Sequence, residues 1–170
     1  MVNWQATELP LGVQQNNNGR LVNEHGQLVY LVGGVCQNDY PLTKLGYAYF
    51  AGDSCIESCS SETPSDDFTF VTEIRAKLQA IQGAVNRAVV QGDRDIVIMC
   101  NYVWSDHRYL PVNDQNQGTS KEPQILVQEI INSINDTNVL KVHFKRIPRE
   151  QNIIAERMAR SAQVTYNGRF

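Results

Sequence analysis

The chain lacks any run of about 18 apolar residues, the length needed to cross a bilayer, so membrane insertion is not expected. It has only four cysteines and three histidines, and the one close cysteine pair has neither a nearby histidine nor a second pair, too few ligands for a structural zinc site. Cys55 and Cys59 stand close together in a polar stretch, and in a reducing compartment they are expected to be thiols in a turn; a local bridge stays open on sequence alone. The N-terminus, Met1 to Gln5, has neither a basic leader nor an apolar core, so a cytoplasmic or nuclear location is expected. Nor is there an excess of positive charge. The net charge is -3, which does not favour a protein that grips phosphates over its whole surface.

What is present is a globular balance of 42% hydrophobic and 19% charged residues in 170 positions, enough for one domain with a substantial core. Residues 1–26 are rich in Asn, Gln and Gly without periodicity and are read as a loose extension with one short strand; 27–166 form the domain and 167–170 a tail. Leu28–Val32 is an apolar, β-prone run stopped at Gly33-Gly34, and Gly46–Phe50 reads as its hairpin partner. Phe68–Val71 is expected as a third strand after a polar loop from Gly52 to Asp67.

Ile74, Leu78, Ile81, Val85 and Val89 then recur at helical spacing, with Thr72 as N-cap and Gly92 as terminator. Ile96–Met99 has the look of a central parallel strand reached through that crossover helix. A helix around Pro123–Asp136, a fifth strand at Val139–Phe144 and a helix from Ile153 complete the chain. The order β-β-β-α-β-α-β-α predicts a five-stranded mixed sheet with flanking helices, an α/β fold. Near the C-terminus Lys141, Lys145, Arg146, Arg149, Arg157 and Arg160 could line one cationic edge, or be an ordinary solvated face.

Four segments carry a resemblance. Leu31-Val32-Gly33-Gly34-Val35-Cys36 is similar to a strand in which an aspartate precedes Gly-Ser-Cys, followed by Leu45–Phe50 as second strand. Arg75-Ala76-Lys77 resembles an Arg-Ala-Glu helix start. Ile96–Asn101 resembles a strand ending in Thr-Asp-Ser, with Lys77 and Asn101 standing 24 positions apart. Arg146–Ala159 resembles a loop and helix carrying Asn-x-x-Ala-Asp-x-x-Ala.

Together, over about Leu28 to Ala162, these segments resemble the ribonuclease H family in its type-1 form, and the resemblance implies the RNase H-like fold. It also implies four carboxylates holding two divalent ions for phosphodiester hydrolysis. In this sequence the four positions are Gly33, Lys77, Asn101 and Glu156, so only one carboxylate remains. Magnesium requires hard anionic oxygens. Glycine offers none, asparagine a neutral oxygen and lysine a cation. Exchanging an anion for a cation about 4 Å from a divalent ion costs several kcal/mol even at an effective dielectric of about 20.

A catalytically degenerate member without metal cofactor is therefore expected, with the Lys77 ammonium filling the metal space and pairing with Glu156. Rescue of the site by Glu73 and Asp106 is the alternative, and it would give an active RNA-DNA hybrid ribonuclease using Mg or Mn. Glu73 is equally placed to serve the helix N-terminus, and His143 reads as a strand residue rather than a proton shuttle. As a binding module the domain would hold RNA, an RNA-DNA hybrid or a protein partner. Tyr102 and Trp104 would stack on bases while Lys145, Arg146 and Arg149 met phosphates; Trp104 fits core packing equally well.

Overall fold

The computed structural model describes residues 4–39, 42–62, 69–101 and 140–167. Seven strands form one mixed sheet: β1 (Gln14–Gln15), β2 (Leu21–Val22), β3 (Leu28–Asp39), β4 (Leu42–Phe50), β5 (Cys55–Glu62), β6 (Asp95–Cys100) and β7 (Lys141–Arg146). The five long strands run β5-β4-β3-β6-β7 across the sheet, with β3, β4 and β5 antiparallel and β6 and β7 parallel to β3. Among the described residues two α-helices, α1 (Thr69–Gln91) and α2 (Ile153–Asn167), pack on it. The mixed α/β architecture expected from the sequence is what forms, with β1 and β2 as short additions.

Alternation along β3 sorts the core into two layers. Tyr30 and Val32 join Leu78, Ile81 and Val85 of α1 on one face, while Val29 and Leu31 join Ile154, Ala155 and Met158 of α2 on the other. Each fully buried Leu or Ile contributes about 1.5–3 kcal/mol through removal from water. Gly92, at φ +77°, ends α1: its N–H donates to Val89 O at 3.1 Å and that of Asp93 to Ala88 O at 3.0 Å, a Schellman closure that favours glycine.

Several expectations are corrected. Thr69–Val71 belong to α1 rather than to a third strand, and Thr72 lies inside the helix rather than at its cap. Phe70 is four residues before Ile74 and so extends the same helical stripe; a four-residue apolar run does not by itself separate helix from strand. The third strand is β5, within the segment read as polar loop, because an edge strand wets one face and tolerates polar residues. Cys55 and Cys59 are thus on a strand and not in a turn. Four residues of strand span about 13 Å, beyond the reach of a disulfide.

The last strand begins at Lys141 rather than Val139. The N-terminal stretch is also more ordered than expected. Leu21 is fully buried, Trp4 meets Phe50 edge-on at 5.0 Å, and Arg20 forms a bidentate pair with Asp93 at 2.8 and 3.2 Å. The helix expected at Pro123–Asp136 and most of the tail lie outside the described residues.

Candidate functional site: the notch between β3 and β6

Parallel pairing between β3 and β6 runs only from Leu28↔Ile96 to Leu31↔Met99. Beyond it β3 continues alongside β4 while β6 ends at Cys100, so the sheet opens into a notch flanked by Gly33 and Asn101. A crevice at the carboxyl ends of diverging parallel strands is where α/β sheets commonly hold ligands. Carbonyl groups released by the lost ladder need new partners. Asn152, fully buried, donates from Nδ2 to Val32 O at 2.7 Å, and Ile147 N–H donates to Cys100 O at 2.9 Å. The turn before α2 therefore stitches the two strands where they part.

Successive residues of β3 point to opposite faces, and the two glycines use this. A Cβ on Gly33 would lie 2.6 Å from the Ala155 carbonyl carbon and oxygen and 2.9 Å from Glu156 N, all α2 backbone. On Gly34 it would lie 2.5 Å from Lys77 N and 2.7 Å from Ala76 C of α1. Gly46 on β4 meets the Ala159 carbonyl in the same way. Both helices rest on bare strand backbone beside the notch, and Ala155, Ala159 and Ala162 keep α2 close.

Glycine at 33 thus has a packing reason: the space a side chain would enter there is occupied by the α2 backbone. Sequence reasoning missed this packing role, along with those of Gly34, Gly46 and Asn152. The structure carries β3 through Gly33-Gly34 to Asp39 rather than stopping it there, and the glycine pair adjoining the β-prone run was the available signal.

Lys77 and Glu156 are each 5% exposed and approach the notch from α1 and α2, on opposite faces of the sheet. Asn101 follows the last residue of β6, and its Oδ1, like that of Asn152, is buried with no hydrogen-bond partner among the described residues. Among the described residues no three His, Cys, Asp or Glu side chains gather to hold a metal ion. The donor set fits a divalent ion poorly: of the four positions one has no room for a side chain, one is an amide and one a cation.

Of the remaining candidates, Lys145 and Arg146 are exposed on β7 and Arg149 is exposed in the turn after it. His143 lies on β7 and its Nε2 is 3.0 Å from Asp95 Oδ1. Tyr102, Trp104 and Asp106 lie outside the described residues, as does the side chain of Glu73, whose backbone is in the first turns of α1. No helix among the described residues is long and apolar enough to cross a membrane.

The arrangement is that of a mixed α/β protein with an antiparallel meander, a parallel extension and a helix on each face. No protein-family model and no curated protein sequence matches the chain. Solved structures do. LC11-RNase H1, isolated from compost by a metagenomic approach, superposes at a TM-score of 0.57 with 16% identity over 83% of this chain and 98% of that one. Its complex with an RNA/DNA hybrid gives 0.51 and 16%, over 82% and 98%. The N-terminal RNase H domain of Rv2228c from Mycobacterium tuberculosis gives 0.50 and 12%, over 83% and 97%. At these identities the likeness is one of fold: the chain has the RNase H-like fold.

Proposed function

We propose that this RNase H-like domain does not cleave nucleic acid and serves as a binding module for nucleic acid or a protein partner, inside the cell in cytoplasm or nucleus. The observation that supports loss of catalysis is the packing at Gly33, where α2 backbone fills the space an aspartate would need. A fold outlives its activity when its packing does not depend on the catalytic groups. Here the packing excludes one of them.

Asn101 adds no charge, Lys77 adds charge of the wrong sign, and Glu156 is the single carboxylate left. No magnesium or manganese is assigned to the chain. In its place the Lys77 ammonium supplies positive charge to the notch and offsets that of Glu156. A double-mutant cycle tests this compensation: Lys77→Met and Glu156→Gln together should cost less than the sum of the two alone. Additivity would refute it.

RNA, alone or paired with DNA, is the nucleic acid we assign to the binding reading, with Tyr102 and Trp104 as stacking groups and Lys145, Arg146 and Arg149 at phosphates. The deciding experiment incubates the purified chain with a labelled RNA-DNA hybrid in magnesium or manganese. No cleavage is expected. Cleavage abolished by Glu156→Ala would instead establish an active hybrid ribonuclease with a rearranged site, using acids such as Glu73 and Asp106.

A further inference from the structure

Strand β7 pairs with β6 alone among the described residues, and Lys141, His143 and Lys145 alternate along it with Val142, Phe144 and Arg146. Val142 and Phe144 pack toward the α1 layer. Lys141, His143 and Lys145 lie in register with Asp95, Val97 and Met99, and Val97 and Met99 belong to the α2-side core. The three cationic or ionisable side chains therefore project from the α2 side of the sheet. Helix α2 packs chiefly over β3, β4 and β5 and, among the described residues, leaves this outer strip uncovered; all three residues are exposed.

Residues two apart on a strand are separated by about 6.6 Å, so the lysines stand about 13 Å apart on a straight rail with His143 between them. Among the described residues the acids near the rail are Asp95, which faces His143 at 3.0 Å, and Glu150, exposed beyond its end. On a chain of net charge -3 the strip is a local positive focus that would orient a polyanion toward one face.

We infer that the Lys141-His143-Lys145 face of β7 is a contact for the phosphate backbone of a nucleic-acid strand, separate from the β3/β6 notch and indifferent to base sequence. Lysine is a flexible point charge that meets phosphate oxygens without reading bases. An acidic peptide added to the sheet edge would bond in the plane of the sheet, whereas these side chains stand perpendicular to it. The inference rests on the binding-module reading, yet the two fail separately. Hybrid cleavage would overturn that reading and leave this surface intact.

The test is fluorescence anisotropy with a fluorescein-labelled oligoribonucleotide, alone and annealed to its complementary DNA, across a salt titration. Lys141→Gln/Lys145→Gln should weaken binding at least about tenfold and lower the slope of log K against log salt by roughly 1.4–1.8, two phosphate contacts' worth. Glu57→Gln, exposed on β5 at the other edge of the sheet, should bind as the parent does. Both lysines are exposed, so a urea midpoint equal to the parent's shows that the variant is folded. Unchanged affinity and slope in the double variant, or no binding by the parent at low salt, would overturn the inference. Competition by polyglutamate as strong as by the oligonucleotide would also overturn it, in favour of an acidic protein partner.

Discussion

Replacing Gly33 tests the reasoning about the notch directly, because alanine adds only the Cβ and aspartate adds the lost carboxylate. A Cβ at 2.6 Å from the Ala155 carbonyl group is roughly 1 Å inside a normal carbon contact. The neighbour is helix backbone, so α2 as a whole must move, loosening its contacts with Leu31, Phe50 and Met99. Overpacking of this kind costs about 1–3 kcal/mol, and Gly33→Ala is expected in that range. Gly33→Asp should cost more, about 3–6 kcal/mol, since it also buries a carboxylate on the face that holds Glu156. For a chain of this size each kcal/mol lowers the melting temperature by about 2–4 °C, so the aspartate variant should melt about 6–24 °C below the parent. Circular dichroism melts and urea titrations of both variants measure this, and the hybrid cleavage assay should stay blank for Gly33→Asp. An alanine variant as stable as the parent would refute the packing argument. An aspartate variant that folds normally and is stabilised by magnesium would refute the wider claim that the notch is closed to metal.

Asn152→Ala removes the amide that takes the Val32 carbonyl where β6 leaves β3, and leaves that acceptor buried; it should cost about 1–3 kcal/mol in urea unfolding, with Asn152→Asp no better, because it removes the donor. Burial, with its hydrogen bond to Asp93, raises the Tyr30 phenol above its ordinary value of 10.0. The folded state thus resists ionisation that the unfolded chain undergoes, so this contribution is whole below about pH 10 and is lost as pH rises above it. Tyr30→Phe should flatten the alkaline fall in the urea midpoint, and an unchanged slope would count against it. Gly92→Ala puts a Cβ on a residue at φ +77° and should cost about 1 kcal/mol by thermal melting.

The central elements were legible because their physics is local. Leu28–Val32 and Ile96–Met99 are apolar enough for buried strands, and the stripe from Ile74 to Val89 has one period only. Strand β5 was hidden because Glu57, Ser58 and Ser60 look like loop residues unless the strand is known to be an edge. Phe70 and Val71 were misassigned because their run is too short to reveal its period. At the notch, four positions could be named from the resemblance, but why glycine occupies the first could not: the reason is the path of a helix 120 residues further along. The anchoring of the N-terminal stretch depends on single side chains, Trp4, Leu21 and Arg20, each reaching a partner distant in sequence.

That anchoring bears on how the domain is cut for experiment. Arg20 reaches Asp93, just past the end of α1, along with Tyr30 and Asp53, and Glu8 holds Arg157 of α2 at 2.9 Å. Trimming the chain to start at residue 27, where the family likeness begins, would strip a guanidinium from a carboxylate and a phenol at the heart of the fold and lay bare the ring of Phe50. A shortened protein that aggregates or melts early would report on those severed ties, and its failure to bind would say nothing about the β7 strip.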